Sequence, residues 1–405
     1  MNRFIYTILV LAITPVAVAQ ESPLLFKTRP QKGFEIIGKD SLFSMQFQFR
    51  MQNRAAMLTK SDEDLTPDSY EFRVRRLRLK FEGFVYNPKL TYKVQLSFAR
   101  GDMDWDGSQF SNINTSVNVV RDAVVYYSPA ERWKFGFGQT KLPGNRQRVV
   151  SSGDQQFADR SIVNATFTMD RDFGFFAQYT TSYFHVSGAI TSGEGRNSTG
   201  SNNGLAYTGR VEFLPFGKFT GKNDYVEGDL EREAKPKLSI GTSYSFNQKA
   251  VRVGGQLGKD LFSPTDMATV SIDALFKYKG FSWYTEFMQR DAGTSVTFDA
   301  ADSTSTSAVY VGYGFLTQVG YLFKSNWEVA ARYAEITPFS SVYDNMDFLT
   351  VNERKQQHIQ LGVTRYLYGH RVKVQGNLLY HLTTNMRSDV TTGKYGVIFQ
   401  VELGI

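Results

Sequence analysis

The chain has 405 residues, of which 41% are hydrophobic, 15% aromatic and 21% charged; it carries a formal net charge of +7 and contains no cysteine. That composition excludes a disulfide framework, a CxxC redox site and a thiolate zinc site, and its modest Pro and Gly content excludes a collagen-like or wholly disordered chain. Its 33 Phe, 22 Tyr and 4 Trp exceed what a soluble core ordinarily needs, so the first question is where these rings go.

The N-terminus reads Met1-Asn2-Arg3, then an apolar stretch from Phe4 to Ile13, then Pro15 and Ala17-Val18-Ala19. A basic start, a short apolar core and an A-x-A site predict a signal peptide over residues 1–19, cleaved after Ala19. The run is shorter than the roughly 20 apolar residues that a spanning helix needs. Residues 20–40 are expected to form a periplasmic N-terminal segment and residues 41–405 an all-β domain.

From Phe43 the apolar residues fall on alternate positions: Phe43, Met45, Phe47, Phe49 and Met51 against Ser44, Gln46, Gln48, Arg50 and Gln52. Period two means a strand with one apolar and one wet face. The pattern returns around 77–81, 90–98, 123–127, 133–137, 173–179, 184–190, 205–213, 238–244 and 270–276. It continues at 281–287, 311–321, 327–333, 359–363, 372–382 and 395–405, which makes about sixteen strands in all.

Short connections such as Tyr86-Asn87-Pro88-Lys89, Lys279-Gly280 and Lys324-Ser325-Asn326 alternate with eight long polar ones, at 57–69, 100–117, 139–171, 191–204, 248–267, 291–307, 336–356 and 383–393. This alternation predicts a transmembrane antiparallel β-barrel of the outer membrane, with short periplasmic turns, long outer loops and lipid or lipopolysaccharide around it. One connection, 214–236, is long where a short turn is due. A soluble sandwich also alternates, but aromatics recur at strand ends as in a membrane girdle, and the wet faces are too polar to pack on a second core. A final strand ending at Ile405 is expected to pair with the first and leave no free edge in lipid.

In a barrel the wet parity lines the lumen. The second strand reads Phe72-Arg73-Val74-Arg75-Arg76-Leu77-Arg78-Leu79-Lys80-Phe81-Glu82, and its parity changes between Val74 and Leu77, which predicts a bulge at Arg75-Arg76. Arg76, Arg78 and Lys80 then form an inward ladder, with Arg73 and Arg75 above it. Glu82 is expected to face Lys93 across the hairpin and neutralise it, leaving the upper three cations unpaired within the hairpin. Rows of cations in a narrow lumen favour anions. The other reading of these residues is a solvated face that binds lipopolysaccharide phosphates or pairs with carboxylates such as Glu286, Glu328 and Glu402. The long segment 139–171 is the candidate constriction loop. Its Lys141, Arg146 and Arg148 are followed by Arg160, and together they would line a filter for small anionic solutes; lying outside remains the alternative.

Two other functional classes have partial signals in the chain. His185-Val186-Ser187 followed by Asn197 has the residue types of a barrel lipid hydrolase, although the first two share the wet face, away from lipid. The acidic residues from Asp62 to Asp68 and the Ser/Gly/Asn-rich residues 191–204 would suit a barrel that anchors a partner. No HExxH or phosphate-binding glycine pattern is present, so no cofactor is expected, and dispersed cations on an exported chain argue against nucleic acid.

The run from Arg73 to Phe84 with Pro88-Lys89-Leu90, then Arg121-Asp122-Ala123, Phe137-Gly138-Gln139-Thr140-Lys141-Leu142-Pro143, Phe157-Ala158-Asp159-Arg160-Ser161 and Asp172-Phe173-Gly174 resemble the phosphate-selective porin O and P family. Tyr278-Lys279-Gly280-Phe281 with Glu286, and Leu361-Gly362-Val363 before Tyr366-Leu367-Tyr368-Gly369-His370, resemble its C-terminal half, and 214–236 resembles Bacteroidetes-type versions. The resemblance implies a sixteen-stranded homotrimeric porin that passes phosphate or other small anions along Arg and Lys ladders, and no enzyme. The inward carboxylates set the expectation at anion preference rather than strict phosphate selectivity.

Overall fold

The computed structural model describes residues 24–29, 33–38, 42–99, 119–198, 204–302, 305–344 and 354–405; the expected signal peptide with its Ala19 site and the expected loop 100–117 lie outside them. A hairpin of β1 (Leu24–Arg29) and β2 (Gly33–Gly38) comes first. It is followed by β3 (Phe43–Thr59), β4 (Pro67–Val85), β5 (Asn87–Ser97), β6 (Val120–Tyr127), β7 (Trp133–Lys141), β8 (Arg171–Thr180), β9 (Phe184–Thr191), β10 (Ala206–Phe213), β11 (Lys237–Arg252), β12 (Asp260–Tyr278) and β13 (Phe281–Ala292). A separate small ladder of β14 (Val296–Phe298) and β15 (Thr306–Ala308) decorates one connection. The order ends with β16 (Gly312–Leu322), β17 (Trp327–Pro338), β18 (Arg354–Tyr368), β19 (Val372–Asn385) and β20 (Thr391–Gly404).

Without β1, β2, β14 and β15, sixteen antiparallel strands close into a barrel, and these are the sixteen that the alternation predicts. The seam pairs β20 with β3, from Gly396 opposite Leu58 to Gly404 opposite Arg50. Below the seam β2 continues along β3, Phe34 opposite Phe47, so β1 and β2 extend the wall. Gly33 makes that close approach possible: its φ is +80°, and a Cβ there would stand 2.0 Å from the carbonyl oxygen of Phe47.

The aromatic residues do go outside. Phe72 is 77% exposed and Phe175 65%, whereas inward Glu286 and Glu402 are fully buried. A bare apolar belt around a polar interior is the inverse of a soluble protein and fits a lipid surroundings.

Short turns link the strands at one end. At Lys279-Gly280 both residues have positive φ, 49° and 94°, and link Tyr278 to its partner Phe281 in the two-residue geometry that matches strand twist. At the other end, three expected long loops are shorter than the sequence suggests. Strand pairing runs on through Thr59 and resumes at Pro67, through Arg252 and from Asp260, and through Asn385 and from Thr391. Ladder hydrogen bonds need no apolar face, so these strands stay paired after the hydrophobic alternation fades.

The register of β3 and β4 passes from Gln52 opposite Arg76 to Asn53 opposite Val74, leaving Arg75 as the extra residue of a bulge. The bulge lets the neighbours Arg75 and Arg76 both serve the inner face.

Candidate pore constriction

Residues 142–170, between β7 and β8, fold back into the barrel. They carry two short helices, α1 (Arg146–Val149) and α2 (Ile162–Phe167), and the Ser161 hydroxyl caps α2 by accepting the Asn164 N–H at 3.2 Å. Leu142, Val163, Phe167 and Met169 are buried against inward residues of the wall, including Leu275, Tyr284, Met288, Leu316 and Ile336. Burying one such large side chain contributes about 1.5–3 kcal/mol, so the segment is seated by an apolar core inside the lumen.

Its polar residues go to the carboxylates of the same wall. Arg146 Nε donates to Asp273 at 2.6 Å and Arg146 Nη2 lies 3.3 Å from Glu212. Asn145 donates to Glu286 at 3.4 Å and Gln156 to Glu328 at 2.7 Å. Glu402 accepts from Gln52 at 2.8 Å, with Arg50 at 3.7 Å and Lys373 at 3.6 Å. Lys373 also donates to the Gly153 and Gln155 carbonyls at 2.8 Å, and Asn377 accepts the Ala158 N–H at 3.0 Å. The inserted segment thus lies over one wall and covers its acids. Arg146 is no pore cation: it is a buried tether, because α1 turns its side chain toward β11 and β12 rather than the opening.

What stays open runs along the β3–β8 wall and, in its outer part, reaches across to β17–β20. An outer chamber of about 530 Å³, at the end with the long connections, leads to a narrow section of about 150 Å³ and then to an inner chamber of about 740 Å³. Arg78, Arg121 and Arg160 line both the outer chamber and the narrow section; Lys93, Lys141, Ser151 and Asp154 line both the narrow section and the inner chamber. The narrow section has nine cations (Arg50, Arg78, Lys80, Lys93, Arg121, Lys141, Arg160, Arg171, Arg371) and one carboxylate, Asp154.

The structure places Arg73, Arg75, Arg76, Arg78, Arg148 and Arg160 around the outer chamber, and Arg78, Lys80, Lys93, Lys141 and Arg160 around the narrow section. Glu82 does stand opposite Lys93, but the two do not neutralise each other: Lys80 takes Glu82 at 2.7 Å, and Lys93 reaches Asp122 at 3.2 Å. Lys80 is therefore paired within its own strand, contrary to expectation, because Lys93 is drawn to the fully buried Asp122 on β6 and leaves Glu82 to Lys80. Arg76 donates to Gln52 at 2.7 Å, Arg78 to the Ser152 hydroxyl at 2.8 Å, and Lys141 to the Val149 carbonyl at 2.6 Å. Arg73 pairs with Glu71 at 2.8 Å and Arg148 with Asp170. Arg160 donates to two carbonyls, of Gln147 and Val150, rather than to a carboxylate. Arg50, Arg54, Arg121 and Arg371 also line the opening and are not singled out by the sequence pattern; Arg50 and Arg54 stand on the wet parity of β3, which is the available signal.

Charge inside the segment follows this field. Burial alone would raise the Asp159 carboxyl, but Arg54 at 2.6 Å, helped by Arg75 and Arg76, holds it well below the usual carboxylate range. Asp170 is held low against the same burial by Arg148 and Arg171. Burial, then Arg148 and Arg76, press the Arg160 pKa down; such a site gains from an arriving anion. The Asp159 pairing is present above the ordinary carboxyl pKa of about 3.9 and is lost only as pH falls through its lower folded value. Open-channel current noise at pH 5 is therefore expected to match that at pH 7.5, while Asp159→Asn should be noisier at both.

The irregular connection 214–236 also enters the barrel, from the short-turn end. Lys277 binds the carbonyls of Asn223 and Val226 at 2.6 and 2.7 Å, and Tyr225 donates to Glu212 at 2.9 Å. It meets the first insert where the Glu227 N–H donates to the Asp154 carbonyl at 2.7 Å and Glu227 accepts the Gln156 N–H at 3.0 Å. Its sequence gives no periodic signal, so only the fold reveals its place.

The hydrolase trio does not assemble. His185 bonds Thr180 at 2.7 Å near a short turn, whereas Asn197 lies past the other end of β9 and donates to the Val120 carbonyl at 3.3 Å. Among the described residues no group of three metal-ligating side chains forms.

The chain is 24% identical to an uncharacterized protein of Aquifex aeolicus (strain VF5), over 91% of this chain and 92% of that protein. Its fold matches an anion-selective porin from Comamonas acidovorans with a TM-score of 0.54 and 13% identity, covering 90% of this chain and 100% of that one. It matches a trimer form of OmpT, an outer membrane protein of Vibrio cholerae, with a TM-score of 0.53 and 10% identity, covering 89% and 99%. The model of the family described as phosphate-selective porin O and P matches residues 45–395. With its sixteen-stranded barrel and inserted loop, the chain belongs to the phosphate-selective porin O and P family and is an outer-membrane porin channel.

Proposed function

We propose that the protein is a passive, anion-preferring diffusion channel for phosphate and other small anions. The observation that carries this reading is the narrow section, where nine cations meet one carboxylate while the acids of the far wall lie under the inserted segment. At an effective dielectric of about 20, one charge acts on an ion about 7 Å away with roughly 2 kcal/mol, reduced severalfold by salt, so even partly paired cations bias which ion enters. The pairings hold the cations in place while the covered wall offers no competing attraction for potassium. The anion-selective Comamonas porin supports the same reading at the level of a shared fold. The channel is exported by residues 1–19, cut after Ala19, and works as a homotrimer in outer-membrane lipid and lipopolysaccharide.

Purified protein in planar bilayers under a potassium chloride gradient should give a reversal potential on the chloride side. A cation-selective or silent barrel would sink the proposal, and phosphate that fails to block chloride current would remove phosphate from its solutes. Crosslinking in native membranes should trap three copies, and N-terminal sequencing of the mature protein should begin at Gln20.

A further inference from the structure

The outer chamber has two chemically different sides. On one stand Arg54 and Arg75, both on Asp159, with Arg76 beside them. On the other, inward positions that a water-filled lumen would fill with polar groups are apolar: Leu379 of β19 and Ile398 of β20 pack with Ala158 of the inserted segment. Next to them His358 and His381, opposite each other on β18 and β19, stack with centroids 3.7 Å apart and planes 11° apart. His381 Nε2 is buried and has no hydrogen-bond partner among the described residues.

An inorganic anion uses only the first side. The edges of a stacked imidazole pair continued by aliphatic carbons, across a chamber of about 530 Å³ from a cluster of guanidiniums, suit a molecule with a charged end and an apolar ring that packs edge-on or face-on against them. The geometry points to small aromatic carboxylates as solutes that the outer chamber binds in preference to inorganic or short aliphatic anions. The carboxylate faces the arginines and the ring lies against the His358–His381 pair. This inference rests on the anion-channel reading and specifies its solute class.

The test uses the full-length channel in planar bilayers, with benzoate and acetate as probes of equal charge. Benzoate added on the long-connection side should reduce chloride current at about one-tenth the concentration that acetate needs, the most that one stacked ring contributes. In the double variant His358→Gln, His381→Gln the ratio between the two anions should fall toward one; in Leu379→Asn it should fall partway. Because the readout is a ratio between equal charges, any change in overall anion attraction divides out, and heat-dependent mobility on a denaturing gel selects the folded variants. Equal block by benzoate and acetate in a wild-type channel that prefers chloride overturns the inference alone, as does a ratio that both variants leave intact. A wild-type channel that prefers potassium overturns the anion reading itself.

Discussion

Replacing residues 145–168 with a short glycine-serine linker is expected to raise single-channel conductance several-fold and to erase the preference for chloride over potassium. The first effect follows from volume, since the segment and its apolar seat fill the half of the lumen next to β10–β17. The second follows from what the segment covers. Glu212, Asp273, Glu286 and Glu328 line the wall beneath it and are almost fully buried, two of them satisfied by Arg146 and the others by Asn145 and Gln156. Without those partners Glu286 and Glu328 face a hydrated lumen, and Glu212 and Asp273 share only Arg210 as a cation, so the wall turns net acidic toward the current. The deletion removes only a small net charge, so a wider pore that stayed strongly anion-preferring would show that the covering of the acids has no bearing on selectivity. Reversal potentials of wild type and deletion, measured in one salt gradient, decide it.

The triple substitution Arg78→Gln, Arg121→Gln, Arg160→Gln is expected to lower the anion-to-cation permeability ratio roughly tenfold, from about 0.5 kcal/mol per charge after screening. These three residues stand where the outer chamber opens into the narrow section, so every ion passes them. Glutamine keeps a polar group on the wall and leaves Lys80, Lys93 and Lys141 in place. A tenfold rise in salt should shrink the difference between variant and wild type, because exposed parts of the field are screened. A difference that survives at high salt would mean that the substitutions changed the shape of the opening instead of its potential.

The sixteen strands were legible because lipid outside and water inside impose a period of two on every crossing. The bulge at Arg75 was legible for the same reason, as a break in that period. The seat of the inserted segment was not. Tyr284, Met288, Leu316 and Ile336 share their parity with polar lumen residues, and their apolar character has meaning only beside Val163 and Phe167, far away in sequence. Arg146 and Arg148 show the limit: they stand two residues apart with like charge, yet one faces the far wall and the other the opening. About half a helical turn divides them, and no local pattern says which way the helix points.

The seam between β20 and β3 governs the order of assembly. Arg50 and Gly404 pair across almost the whole length of the chain, so closure must await the last strand and the entropy cost of bringing distant ends together falls on that step. Until then β3 and the growing sheet keep an open edge. A chain cut short before β20 should accumulate as an unclosed, protease-sensitive sheet rather than as a smaller pore.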